Sequence, residues 1–159
     1  LETLNEMGAA VAHRGPDQSG IAVGKGYAFQ HNRLSIIDPE NGAQPMKAVH
    51  DGYPYTIVYN GELYNTEELR QELLKEGAAF ETRCDTEVVL QAYRQWGRDC
   101  VSRFNGMFAF EYMTAAGRKS FWPAIAPAKS LCITAIMQVC SASLQSSRLS
   151  CPVLNLPVK

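Results

Sequence analysis

Four short polar clusters stand where apolar runs end, and they hold the residues best suited to chemistry. They are His13-Arg14-Gly15-Pro16-Asp17, Arg33-Leu34-Ser35-Ile36-Ile37-Asp38, Tyr59-Asn60-Gly61-Glu62 and Cys84-Asp85-Thr86-Glu87. Arg33 offers a planar guanidinium fork that fits a carboxylate. Asn60 can present a side-chain NH₂ and Gly61 a closely approachable backbone N–H, a pair suited to a developing oxyanion. Glu62 and Asp85 are acceptors for an ammonium. An arginine for a carboxylate and two acids for an ammonium describe a pocket for an α-amino acid. Each residue also has a plain structural use. Asn-Gly forms hairpin turns, Asp85 can cap a helix, and Arg33 can sit in a surface ion pair.

The elements that would position these clusters follow from periodicity. Leu1, Leu4, Met7 and Val11 recur at helical spacing, so the chain opens in an amphipathic helix that Gly15-Pro16 ends. Gly20 to Gly24, Tyr27 to Gln30 and Leu34 to Ile37 read as strands. Asp38 to Gly42 reads as a turn-rich loop. Tyr55 to Tyr59 is the best strand, with Asn60-Gly61 ending it. A helix capped by Asn65, with Glu68 as capping-box partner, shows Leu69, Leu73 and Leu74 on its apolar face and stops at Gly77. A second, capped by Asp85, buries Val88, Val89, Ala92, Tyr93 and Trp96 and stops at Gly97. Gly106 to Phe110 reads as a buried strand. Strands and helices without strict alternation indicate an α+β layer fold.

Composition narrows the function classes. The chain has 159 residues and a net charge of −1. That suits one domain and gives no basic surface for nucleic acid. No run reaches the length of a membrane span, and no signal peptide is visible, so a cytoplasmic location is expected. Without an initiator Met, the chain is expected to be a fragment. Five cysteines at irregular spacing suggest buried thiols in a reducing compartment, not a disulfide framework, and no metal-ligand spacing occurs.

In their order along the chain, these motifs resemble the glutaminase domain of glutamine-dependent asparagine synthetases, a class II glutamine amidotransferase. The resemblance spans most of residues 7 to 110. It also takes in Gly42-Ala43-Gln44-Pro45-Met46, Val58 to Asn65, Asp85-Thr86-Glu87 and Asn105 to Phe110. It implies an N-terminal-nucleophile hydrolase fold, a four-layer αββα sandwich, incomplete in this chain. It implies glutamine as ligand, with Arg33 on the carboxylate and Glu62 and Asp85 on the α-ammonium. Asn60 and Gly61 would form the oxyanion hole.

The family nucleophile is an N-terminal Cys whose own amine is the base. No Cys begins this chain, so the chain itself is expected to be inactive. Cys84 stands where the family carries Ser, and is expected to be a tolerated swap. No cofactor is expected here; ATP and Mg²⁺ would serve only a separate synthetase domain, which amidates aspartate. The rival expectation is a non-catalytic glutamine-binding or interaction module.

Charge divides the chain. Residues 1 to 110 hold 10 Lys+Arg against 15 Asp+Glu, whereas residues 111 to 159 hold 5 against Glu111 alone. Read one base out of register, Phe121 to Thr134 permits leucine-alanine-arginine-aspartate-arginine, close to the family's next motif. The expected organisation is therefore a partial domain over 1–110 and an out-of-frame tail over 111–159 that forms no domain.

Overall fold

The computed structural model describes residues 1–24, 27–50, 52–114 and 124–125. Most of the expected tail lies outside these. The chain runs through helix α1 (Glu2–Ala10), strands β1 (Gln18–Gly24), β2 (Tyr27–Arg33), β3 (Met46–His50) and β4 (Tyr53–Leu63). Helices α2 (Thr66–Lys75) and α3 (Asp85–Trp96) follow, then β5 (Gly106–Thr114) and a short β6 (Ala124–Ile125). No helix among the described residues is long and apolar enough to cross a membrane.

Two antiparallel sheets form, one of β1-β2 and one ordered β3-β4-β5-β6. Alternation along each strand decides the layers. Ile57, Tyr59, Leu63, Phe108, Phe110 and Tyr112 pack with Leu69, Leu73, Val88, Val89 and Ala92 from α2 and α3. Val58, on the opposite face of β4, packs on Ala22 and Phe29 of the small sheet. The hydroxyls of Tyr27 and Thr56 bridge the two sheets at 3.1 Å. Helix α1 covers the outer face of β2, where the Asn32 amide donates to the Gly8 carbonyl at 2.6 Å. The result is the expected α+β arrangement of four layers, helix-sheet-sheet-helix, with partial sheets.

Several local expectations change. Leu34–Ile37 is a loop, not a strand, with Leu34 57% and Ile36 74% exposed. Its backbone turns to enclose the Arg33 guanidinium instead of entering a sheet. Strand β3 was not visible in the sequence. Asn60-Gly61 does not end β4; both residues pair onward, with Ala109 and Phe108. Strand β5 also runs past Phe110 to Thr114, burying Glu111 and Tyr112.

Asn65 precedes α2 without a side-chain cap bond. Its amide instead donates to the Arg103 carbonyl and accepts from the Asn105 N–H. Cys84, not Asp85, precedes α3. Leu74 is 44% exposed, so Leu69 and Leu73 alone carry the buried face of α2.

Candidate functional site

A cavity of about 200 Å³ lies where β2 ends and β4 runs on toward α2. Arg33, Asn60, Gly61, Glu62 and Asp85 all line it, so the five residues expected from sequence meet in one place. Arg14, His31, Gln44 and Thr86 also line it, and their types and spacing had pointed to no role there. Strand alternation explains the meeting. Phe29, His31 and Arg33 share one face of β2, and Val58, Asn60 and Glu62 share one face of β4.

Arg33 is buried and already occupied. Its guanidinium donates to the carbonyls of Ile37 at 2.7 Å, Asp38 at 3.1 Å and Pro39 at 3.2 Å. A guanidinium has five N–H donors, so about two remain outside these bonds. Gly42 is required beneath it, because a Cβ there would strike the guanidinium. The Asp38 carboxylate holds the turn closed, accepting from the Asn41 side-chain amide at 2.9 Å and the Arg83 N–H at 2.8 Å. These bonds, the Arg83 N–H foremost, hold the exposed Asp38 carboxyl below its usual range. Asp38 thus ties the Arg33 turn to the segment that delivers Asp85.

That segment is fixed from inside α3. The Glu87 carboxylate accepts from the N–H groups of Glu81 at 2.9 Å and Thr82 at 2.7 Å, and from the Thr82 hydroxyl at 2.7 Å. Asp85 is therefore presented to the cavity by a loop with its donors satisfied. Burial raises the Asp85 carboxyl above its usual range, with the Tyr59 hydroxyl and nearby N–H groups opposing the rise. The Tyr59 hydroxyl lies beside Asp85 outside hydrogen-bonding geometry, and its own ionisation is pushed far upward by burial.

Backbone polarity on β4 follows from two bonds. The Tyr64 N–H donates to the Asn105 carbonyl at 2.8 Å, in step with the β4–β5 register. The Tyr59 N–H donates the other way, to the Gln44 side-chain carbonyl at 2.7 Å. Alternate residues of a strand point to opposite neighbours. Gly61 therefore shares the direction of Tyr59 and aims its N–H away from β5. The β3 pairing ends at Ile57, so no described strand covers that edge at Gly61. This leaves a donor facing the cavity next to the Asn60 side chain.

His31 is 4% exposed, and its Nε2 lies 3.1 Å from the Tyr59 carbonyl. A carbonyl only accepts, so Nε2 carries a proton. Burial, with a smaller push from the Arg33 charge, lowers its pKa from 6.5 to about 4. Among the described residues, no thiol lines the cavity. Cys84 and Cys100 are free and buried. Burial raises both, Cys100 to about 12, which opposes the thiolate form a nucleophile needs.

Comparison with known proteins gives concordant results. A family model described as "Glutamine amidotransferase domain" matches residues 1–121. Asparagine synthetase [glutamine-hydrolyzing] 3 of Bacillus subtilis is 48% identical over 109 residues, 69% of this chain and 18% of that protein. A second Bacillus subtilis asparagine synthetase is 44% identical over 109 residues, 69% of this chain and 17% of its own length. A putative archaeal one from Methanocaldococcus jannaschii is 43% identical over 126 residues, 69% of this chain and 24% of that protein. The chain thus spans about a fifth of the first relatives it matches. Among solved structures, the glutamine phosphoribosylpyrophosphate amidotransferase of B. subtilis superposes with a TM-score of 0.58 over 70% of this chain and 32% of that one, at 22% identity. That likeness concerns the fold.

Proposed function

We propose, from the premise that this chain belongs to the glutamine amidotransferase domain family, that the cavity binds free glutamine for release of its amide nitrogen. The observation that carries this is the convergence of the Arg33 guanidinium, the Glu62 and Asp85 carboxylates and an outward backbone N–H on one cavity. The remaining Arg33 donors take the α-carboxylate. Asp85 and Glu62 take the α-ammonium. These contacts leave the side-chain amide directed at Asn60 and Gly61, whose N–H groups would stabilise the oxyanion of a tetrahedral intermediate.

Binding and attack are separable in this chain. The described thiols, Cys84 and Cys100, are buried and do not line the cavity, so neither is the attacking group. We expect the 159-residue chain by itself to bind glutamine without releasing ammonia. The matched relatives are named glutamine-hydrolyzing asparagine synthetases; in an intact enzyme of that kind the ammonia would pass to a separate synthetase domain, where alone the family resemblance places aspartate, ATP and Mg²⁺. The rival, a glutamine-binding module without hydrolysis, predicts the same pocket. The two differ in whether supplying a nucleophile restores ammonia release.

Calorimetry with glutamine tests the pocket, and an ammonia assay on the same sample tests the inactivity. Binding without ammonia is expected. Asp85→Asn should weaken glutamine about 10–100-fold, the usual range for losing a charge-assisted hydrogen bond. It should also raise thermal stability at neutral pH. The sign follows from burial: Asp85 has a folded pKa above its unfolded one, so its ionised form is a cost above that pKa and the cost fades on acidification. An Asp85→Asn variant binding within threefold of the parent would remove Asp85 from the pocket's chemistry.

A further inference from the structure

Resting on the glutamine reading, we propose that Gln44 is a positioning residue that holds the Asn60-Gly61 oxyanion donors and the Asp85 acceptor in fixed relation. The Gly42-Ala43-Gln44-Pro45-Met46 motif carries part of the family resemblance, yet residue type alone gives none of its members a chemical role. Its place in the sheet supplies one. The register that sets Met46 opposite Ile57 and His50 opposite Tyr53 would, continued, set Gln44 opposite Tyr59. The main-chain pairing, however, ends at Met46 with Ile57, so no backbone rung forms at Tyr59.

The Gln44 side chain takes the place of the missing rung. Its carbonyl oxygen accepts from the Tyr59 N–H at 2.7 Å, and its amide nitrogen donates to the Tyr59 carbonyl at 2.9 Å. The same nitrogen donates to the Thr86 hydroxyl at 3.3 Å. Gln44 and Thr86 are both buried. Tyr59 immediately precedes Asn60-Gly61, and Thr86 immediately follows Asp85. One side chain therefore joins the strand carrying the oxyanion donors to the helix carrying the ammonium acceptor. Both of its N–H donors are engaged in that join, so it acts through Tyr59 and Thr86 and not on glutamine directly. His31 supports the same carbonyl from the opposite sheet.

The side chain also stops the ladder at the right residue. A main-chain strand continuing opposite Gly61 would engage its N–H. A side-chain amide ends at Tyr59 and leaves the next outward N–H open.

The test compares Gln44→Glu and Gln44→Leu in the ¹⁵N-labelled 159-residue chain, titrated with glutamine. A protonated glutamic acid can accept from the Tyr59 N–H and donate to its carbonyl. An ionised one has no donor. At about pH 8 both variants should bind glutamine roughly tenfold more weakly than the parent, the equivalent of one or two lost hydrogen bonds. For Gln44→Glu the ratio to the parent should narrow toward one as the pH falls toward about 5; for Gln44→Leu it should stay flat. Dividing by the parent removes the pH dependence that all three chains share. The Gly61 amide resonance should move in both variants at high pH and return only in Gln44→Glu on acidification.

Affinities within twofold of the parent at about pH 8, or a flat ratio for Gln44→Glu, would overturn the proposal. If Gln44→Leu fails to fold, the Gln44→Glu profile decides alone. A parent that gives no glutamine signal removes the ligand reading instead. The ligand-free Gly61 and Thr86 resonances then decide whether the join exists, and unmoved resonances would overturn it.

Discussion

Gly61→Ala is expected to lower the stability of the chain by about 3–5 kcal/mol, combining backbone strain with overpacking. Gly61 adopts φ +155°, a conformation an L side chain rarely takes. A Cβ there would lie 2.5 Å from Phe108 Cα and closer still to the Met107 carbonyl oxygen. Both obstacles are backbone atoms of β5, and neither can rotate away. Relief requires opening the β4–β5 ladder, one face of which carries the main core. Against a typical total of about 5–15 kcal/mol, the loss leaves little or no margin. Urea melts of parent and variant measure it directly. A midpoint within error of the parent would show that β4 can shift at Gly61, and would weaken the geometric case for its outward N–H.

The second large effect is on acid tolerance. His31 has a folded pKa of about 4 against 6.5 when unfolded, so between these values the unfolded chain binds the proton more readily. Its contribution is fully present above pH 6.5 and is lost as the pH falls toward 4. At about 1.4 kcal/mol per pH unit, the full window amounts to about 3 kcal/mol. Asp85 works in the opposite direction, since burial raises its pKa. The informative quantity is therefore the difference between the parent and His31→Gln, measured from neutral pH to about pH 4. Glutamine at that position stays neutral and can still donate to the Tyr59 carbonyl. The parent should lose about 2–3 kcal/mol more than the variant. Parallel curves would mean that His31 charges in the folded state without cost.

The helices were the most legible part of the fold. Val88, Val89 and Ala92 repeat at helical spacing, and Gly97 ends their helix with φ +60°. The strands were harder wherever pairing was distant. Asn60-Gly61 has the composition of a turn, and only β5, far along the chain, keeps it extended. Met46–His50 has little β-branching, and β4 imposes its strand conformation. Leu34–Ile37 has strand composition, yet it encloses the Arg33 guanidinium instead.

The site shows the same division. Arg33, Asn60, Glu62 and Asp85 announce themselves by charge or by a close-approach dipeptide. Their meeting in one cavity depends on two sheets and a helix, which spacing does not encode. His31 and Gln44 carry no fixed charge and give no such signal. For His31 there was no clue, because the strand read from the sequence stopped at Gln30, one residue short of it. For Gln44 the clue was membership of a motif without an assigned task.

The pairing of β4 with β5 also dates the pocket within the life of a molecule. During synthesis, every side chain proposed to touch glutamine leaves the ribosome before Gly106. Until β5 emerges, β4 has a bare edge and Gly61 has no backbone packed against it. A nascent chain arrested just after α3 would carry the full set of ligand-facing groups and no binding site. Closing such a distant pair is slow compared with forming helices, and an open edge in the interval invites pairing with another chain. The residues that recognise the ligand come early, but the strand that makes recognition possible comes after all of them.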